Sequence, residues 1–160
     1  LCVDWENSTR DVESLGVRRV VIRTGLVLDR NGGAMTRLLL QNRLFAGGSL
    51  GNGRQWWPWI HLKDEVRAFL FLLENEQAEG AYNLTAPNPV QMKTFGKTLA
   101  KVMRRPYWLP VPAFALRLVL GEMSKIVLEG QRAVPLKLLE SGFSFDFPDL
   151  EPALRDILIS

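Results

Sequence analysis

Apolar and polar positions along the chain follow two periods. Between Asp4 and Leu15, the residues Trp5, Val12 and Leu15 stand among polar neighbours at helical spacing and Gly16 follows, which predicts the tail of an amphipathic helix stopped by a glycine. From Val17 to Leu28 a run rich in β-branched residues predicts a strand buried on both faces, as in a parallel sheet. The stretch Asp29-Arg30-Asn31-Gly32-Gly33 is a turn, and Ala34 to Phe45, with Met35, Leu38, Leu39 and Phe45 apolar, predicts a helix. A third helix is expected from Leu62 to Leu73, its stripe formed by Val66, Phe69, Leu70 and Leu73, with Asp64 and Glu65 in the first turn where the helix dipole favours acids. A strand at Gly80–Leu84, a turn at Pro87-Asn88-Pro89 and a helix at Gln91–Met103 with Phe95, Leu99 and Val102 inward complete the alternation. Beyond Arg105 come prolines at 106, 110 and 112, an apolar helix at Ala113–Leu120, a helical pair around Ile126–Leu139 and a closing helix at Leu150–Leu158. The fold class is therefore α/β with a mostly helical end.

Two segments break both periods. Ala46 to Gly53 holds four glycines, so it is a loop with closely approached or positive-φ positions. Arg54-Gln55-Trp56-Trp57-Pro58-Trp59-Ile60-His61 carries three of the chain's five tryptophans. Extended, it puts Trp57, Trp59 and His61 on one face and Trp56 and Ile60 on the other, with Pro58 restricting it to an edge or a short bridge. Such a face could stack a planar ligand beside Arg54 and Gln55, and the same rings would serve as core; the pattern leaves both readings open.

Composition narrows the field. The 160 residues, 47% hydrophobic and 23% charged, suit one domain or the end of a larger one. A single cysteine, Cys2, and a single histidine, His61, exclude an intrachain disulfide and a Cys/His zinc cluster, and fit a reducing, cytoplasmic location. No apolar run approaches the roughly 18 to 20 residues that span a bilayer, so no membrane partner is expected. A net charge of +3 does not imply nucleic acid, although six basic residues and no acid lie between Gly80 and Gly121. The start at Leu1, with neither methionine nor signal peptide, reads as cut from a longer polypeptide.

The order of these pieces resembles the C-terminal half of an NAD(P)-dependent epimerase/dehydratase of the extended short-chain dehydrogenase/reductase family. The resemblance is carried by Glu6, Arg23-Thr24-Gly25-Leu26-Val27-Leu28, Gly51-Asn52-Gly53-Arg54-Gln55, Trp59-Ile60-His61-Leu62-Lys63-Asp64 and Tyr82-Asn83-Leu84. Leu109 to Arg117, Gly121-Glu122 and Gly130-Gln131-Arg132-Ala133-Val134-Pro135 resemble the epimerase-like branch that has its own C-terminal tail domain. The resemblance implies the end of a doubly wound, Rossmann-like sheet at residues 1–88, with a substrate-side insert at about 31–58, and a C-terminal substrate or tail domain at 89–160. It also implies NAD or NADP in the full-length protein and places Thr24, Gly25 and Leu26 beside the nicotinamide. A small-molecule substrate would meet Arg54, Gln55, Trp57, Trp59 and His61. The glycine fingerprint and the Tyr-x-x-x-Lys pair of that family lie upstream, so the chain by itself is expected to be inactive and to bind no cofactor. Cys2 occupies the position matching the family's lysine, and Trp57 the position where many nucleotide-sugar enzymes of the family carry an arginine. The alternative is a non-catalytic dinucleotide-sensing or partner-binding protein on the same fold. An unpaired strand between Arg19 and Leu28 predicts self-association or a borrowed partner chain.

Overall fold

The computed structural model describes residues 2–112, 114, 115, 118, 121 and 128–159. The run from Val17 to Leu28 forms two strands rather than one, β1 (Val20–Thr24) and β2 (Leu26–Leu28). The break falls at Gly25, where the chain changes partner. β1 pairs in parallel with β5 (Gly80–Leu84), Val20 opposite Gly80 and Thr24 opposite Leu84, whereas β2 pairs in parallel with β4 (Trp59–His61). Gly25 N–H donates to Leu84 O at 3.0 Å and Leu26 N–H to Pro58 O at 2.7 Å. A Cβ on Gly25 would stand 2.8 Å from Pro58 O and 2.9 Å from Thr85 Cγ2, so no larger residue fits this crossing. Pro58 likewise splits the tryptophan segment. β3 (Trp56–Trp57) pairs antiparallel with β6 (Val90–Gln91), and β4 then joins the parallel ladder.

Two apolar clusters lie on opposite faces of this sheet, and the alternation of Trp59 and Ile60 serves both. Trp59 packs with Leu28, with Met35 and Leu39 of α2 (Gly33–Arg43), with Phe95 and Leu99 of α4 (Met92–Met103), and with Leu150 and Leu154 of the closing helix. Ile60 packs with Ala68 and Leu72 of α3 (Leu62–Glu74), with Tyr82 and Leu84, and with Leu138 of the short α5 (Leu136–Glu140). The closing helix, α6 (Leu150–Ile159), lies over α4, as the inward spacing of Phe95, Leu99 and Val102 predicts. The expected helix at Ala113–Leu120 and the first half of the pair around Ile126–Leu139 fall largely outside the described residues.

The sequence reading errs at the first helix and at α3. The expected helix from Asp4 to Leu15 is broken at Ser8 and Thr9 into α1 (Cys2–Asn7) and a 3-10 turn (Arg10–Leu15). Ser8 Oγ turns back to donate to Trp5 O at 2.7 Å, the competition with the helix ladder that serine offers. Trp5 is 78% exposed. On α3 the apolar stripe faces outward: Val66, Phe69 and Leu70 are about half exposed and Leu73 is 71% exposed. The buried face is Asp64, Glu65, Ala68 and Leu72. Small Ala68 lets the helix approach the sheet, and Asp64 is drawn in by donors, accepting from Asp146 N–H at 2.9 Å, Phe147 N–H at 2.8 Å and the Arg67 guanidinium at 3.0 Å.

Candidate functional site at the carboxyl ends of the strands

In an open parallel sheet, ligands collect at the carboxyl ends of the strands. Here those ends are Thr24 and Leu84, and Thr24, Gly25 and Leu26 form a crest where β1 hands over to β2. Thr24 is exposed, while Gly25 and Leu26 are half-buried. The Thr24 hydroxyl donates to Glu65 Oε1 at 2.8 Å, tying the crest to the first turn of α3. Burial pushes the Glu65 carboxyl above its ordinary range, against the opposing effect of the Thr24 hydrogen bond. The second oxygen, Glu65 Oε2, is buried without a hydrogen-bond partner among the described residues, and so is Thr85 Oγ1 beside Gly25. Behind the crest, Arg23 grips Glu6 with two hydrogen bonds of 2.7 Å, which holds the Glu6 carboxyl below its usual range and fixes α1 against β1.

The residues expected on the substrate side are dispersed. Trp57, Trp59 and His61 do share a face, as the alternation predicts, but the face points into the interior. Trp57 is half-buried, its ring centroid 5.2 Å from that of Phe95, and Trp59 is fully buried. His61 is stacked on Phe147 with centroids 4.0 Å apart. Its Nδ1 accepts from Lys63 N–H at 3.0 Å, capping α3 and placing the proton of the neutral ring on Nε2. That Nε2 lies 3.3 Å from Asp156 Oδ2, off the line of a good hydrogen bond, and Lys63 meets the same carboxylate at 2.9 Å. Burial lowers the His61 pKa, opposed by the charge of Asp156. The histidine is thus placed as a buried junction between α3 and α6. Gln55 is buried in the glycine loop, its Nε2 donating to Leu50 O at 2.9 Å. Arg54 is exposed. The glycine loop packs against the backbone of the segment after α4: Trp108 and Leu109 donate to Gly47 O, and Val111 donates to Ser49 O.

One element carried the resemblance but was given no role in the sequence reading. The segment Gly130–Val134 runs as a strap anchored at two points. At Gly130, a Cβ would stand 2.0 Å from Trp56 O, so only glycine permits the approach. At the other anchor, Asn83 Nδ2 donates to Val134 O at 3.2 Å. Between them the Arg132 guanidinium lies 5.2 Å from the Trp56 ring centroid. The signal in the sequence was the arginine set between Gly130 and Pro135, but nothing local indicates that Trp56 is its neighbour. A cleft of about 650 Å³, lined by Glu13, Arg18, Arg19, Glu76, Glu79 and Lys137 among others, lies at the opposite, amino ends of β1 and β5, away from the crest. Among the described residues, no group of His, Cys, Asp or Glu could hold a metal ion, and no helix is long and apolar enough to cross a membrane.

Comparison with known proteins agrees with this geometry. Residues 30–85 match the NAD dependent epimerase/dehydratase family, and residues 111–157 match a domain of unknown function, DUF1731. The chain is 46% identical over 154 residues to the epimerase family protein YfhF of Bacillus subtilis (strain 168), covering 96% of this chain and 50% of that protein. The crystal structure of human epimerase family protein SDR39U1 (isoform2) with NADPH superposes with a TM-score of 0.85 at 37% identity, over 88% of this chain and 48% of that one. A nucleoside-diphosphate sugar epimerase from Corynebacterium glutamicum matches with a TM-score of 0.73 at 28% identity, over 98% of this chain and 30% of that one. The chain spans about half the length of the curated relatives it matches. With its parallel, Rossmann-like strands and the Thr24–Leu26 crest at their carboxyl ends, the chain is similar to about half the length of epimerase family proteins, and its residues 30–85 match the NAD dependent epimerase/dehydratase family.

Proposed function

We propose that these residues form the C-terminal part of an NAD(P)-dependent, epimerase-like oxidoreductase that acts on a small molecule. The observation that carries the reading is the crest: an exposed threonine at the end of a parallel strand, hydrogen-bonded to a buried glutamate whose second oxygen has no hydrogen-bond partner among the described residues. Thr24, Gly25 and Leu26 would border the nicotinamide, which when bound supplies hydride transfer. The chain's own residues hold the crest in place: Gly25 lets β1 cross to β2, Glu65 orients the Thr24 hydroxyl, and Arg23 with Glu6 fixes the preceding helix. NADPH in the 37%-identical human structure supports the choice of cofactor class. On the substrate side, Arg54 is the expected residue that the fold leaves exposed. The remaining half of the dinucleotide fold would cover the outward stripe of α3 and the edge of β1, which pairs with β5 alone among the described residues. Without that half the same surfaces favour self-association. The location is cytoplasmic on this reading, and no nucleic acid or membrane takes part.

Calorimetry with NADPH tests the reading. The 160-residue chain should show no binding and the full-length protein should bind; micromolar affinity in the isolated chain, or none in the full-length protein, overturns it. A second reading rests on Cys2, which occupies the position matching the family's lysine. It makes the full-length protein a dinucleotide sensor that binds NADPH and never oxidises it. Stopped-flow oxidation of bound NADPH across a panel of carbonyl compounds separates the two.

A further inference from the structure

We propose that Arg132, held over Trp56 by the Gly130–Val134 strap, is a seat for the anionic group of the substrate, so that the small molecule is a phosphate ester or a carboxylate. The strap crosses from Trp56, two residues before the Pro58 carbonyl that receives Leu26, to Asn83, one residue before the Leu84 carbonyl that receives Gly25. Both anchors therefore belong to the backbone that builds the crest. Arg132 is exposed and makes no ion pair among the described residues, and the same holds for Arg54 and Lys93. Lys93 is tied to this rim, its N–H donating to Gly53 O at 2.9 Å, and Arg54 follows Gly53 directly. The acid nearest to Arg132 in sequence is Glu129, just before the strap, exposed and three positions away.

The Arg132 guanidinium lies within cation–π range of the Trp56 ring, and its exposed N–H groups are free of any ion pair among the described residues. The N–H edge of a guanidinium matches two oxygens of a phosphate or carboxylate, a match lysine cannot make. Burying Trp56 needs only an apolar neighbour; an unpaired arginine in that role adds a directed charge. The inference deepens the proposed function and rests on it for the identity of the reaction, but anion binding itself is measurable without a cofactor.

The test titrates the full-length protein, with indole 15N–1H resonances assigned, using inorganic phosphate and separately succinate at low ionic strength, where charge is least screened. Both probes, or one, should shift the Trp56 indole resonance saturably. Arg132→Gln should weaken that binding at least tenfold, Arg132→Lys by less, and Arg30→Gln, a substitution on the turn before α2, not at all. Tighter phosphate binding assigns a phosphate ester; tighter succinate binding assigns a carboxylate. A silent Trp56 resonance, or Arg132→Gln binding both probes like the parent, overturns the proposal. Thermal melting and NADPH calorimetry on the same variants separate the outcomes. A protein that binds phosphate at Trp56 yet ignores NADPH loses the proposed function and keeps the anion seat.

Discussion

The two outer sides of this sheet are treated differently by the same chain. On one side, Trp59 and Leu28 are sealed by α2, α4 and α6, and His61, Phe147, Lys63 and Asp156 close the join between α3 and the last helix. On the other, α3 buries Ala68 and Leu72 against the sheet but turns Val66, Phe69, Leu70 and Leu73 outward, and Trp5 of α1 has no apolar cover. A stripe this regular is made to be buried, because its spacing has no use in water. The contrast separates the surfaces that the described residues cover from those that, on the proposed function, the rest of the dinucleotide fold would cover.

The largest expected effect tests the sealed side. Trp59→Ala removes a fully buried indole and should lower stability by about 3–5 kcal/mol in chemical denaturation. Trp57→Ala, half-buried against Phe95, should cost less, roughly 1–3 kcal/mol. If Trp57→Ala instead leaves the melt unchanged and weakens substrate binding by the full-length protein, the Trp57 face belongs to the pocket and the sealed side has been misjudged. Asp64→Ala strips the acceptor from Asp146 and Phe147 N–H and leaves two part-buried donors to water, a loss of about 1–3 kcal/mol. A loss below about 1 kcal/mol would mean that water replaces the carboxylate in full.

The bare side makes the opposite forecast. Phe69→Ala and Leu73→Ala should change the stability of the 160-residue chain by less than about 1 kcal/mol each, since Phe69 is already about half exposed and Leu73 mostly so. In the full-length protein the same changes should cost roughly 1–3 kcal/mol each, the value of a buried side chain. Equal, small effects in both proteins would show that the stripe is covered by nothing upstream. Sedimentation of the isolated chain sharpens the point: Leu73→Glu should shift a self-associating chain toward monomer.

These contrasts mark how far the sequence is legible. The positions of α2, α3, α4 and α6 and the inward face of α4 follow from periodicity, and Phe95, Leu99 and Val102 meet a partner within the chain. Periodicity also finds the stripe of α3, yet it cannot say whether the covering surface lies in the same 160 residues. The switch at Gly25 is hidden for a related reason: a run of β-branched residues looks the same whether it pairs with one strand or hands over between two. Glu65 escaped attention because acids in a first helical turn are ordinary; its role depends on Thr24, 41 positions away. Arg132 and Trp56 are joined by tertiary structure alone.

The smallest effect is a pH slope with two opposed sources. With its value raised by burial, Glu65 in the folded protein keeps its proton to higher pH than it does in the unfolded chain. Its contribution to stability is therefore whole below about pH 4.5, the unfolded value, and is lost as pH rises toward the raised folded value. His61 acts in reverse, since burial places its folded value below the unfolded 6.5. Its contribution is present above pH 6.5 and is lost as pH falls toward that folded value, because the unfolded ring takes the proton first. Each unit between folded and unfolded values amounts to about 1.4 kcal/mol. Denaturation of the 160-residue chain at intervals from pH 4 to pH 8 should show Glu65→Gln removing the decline above pH 4.5 while sparing the slope near 6.5. A Glu65→Gln profile that runs parallel to the parent through that window would mean that folding does not raise the Glu65 carboxyl, and that the crest carries an ordinary carboxylate charge.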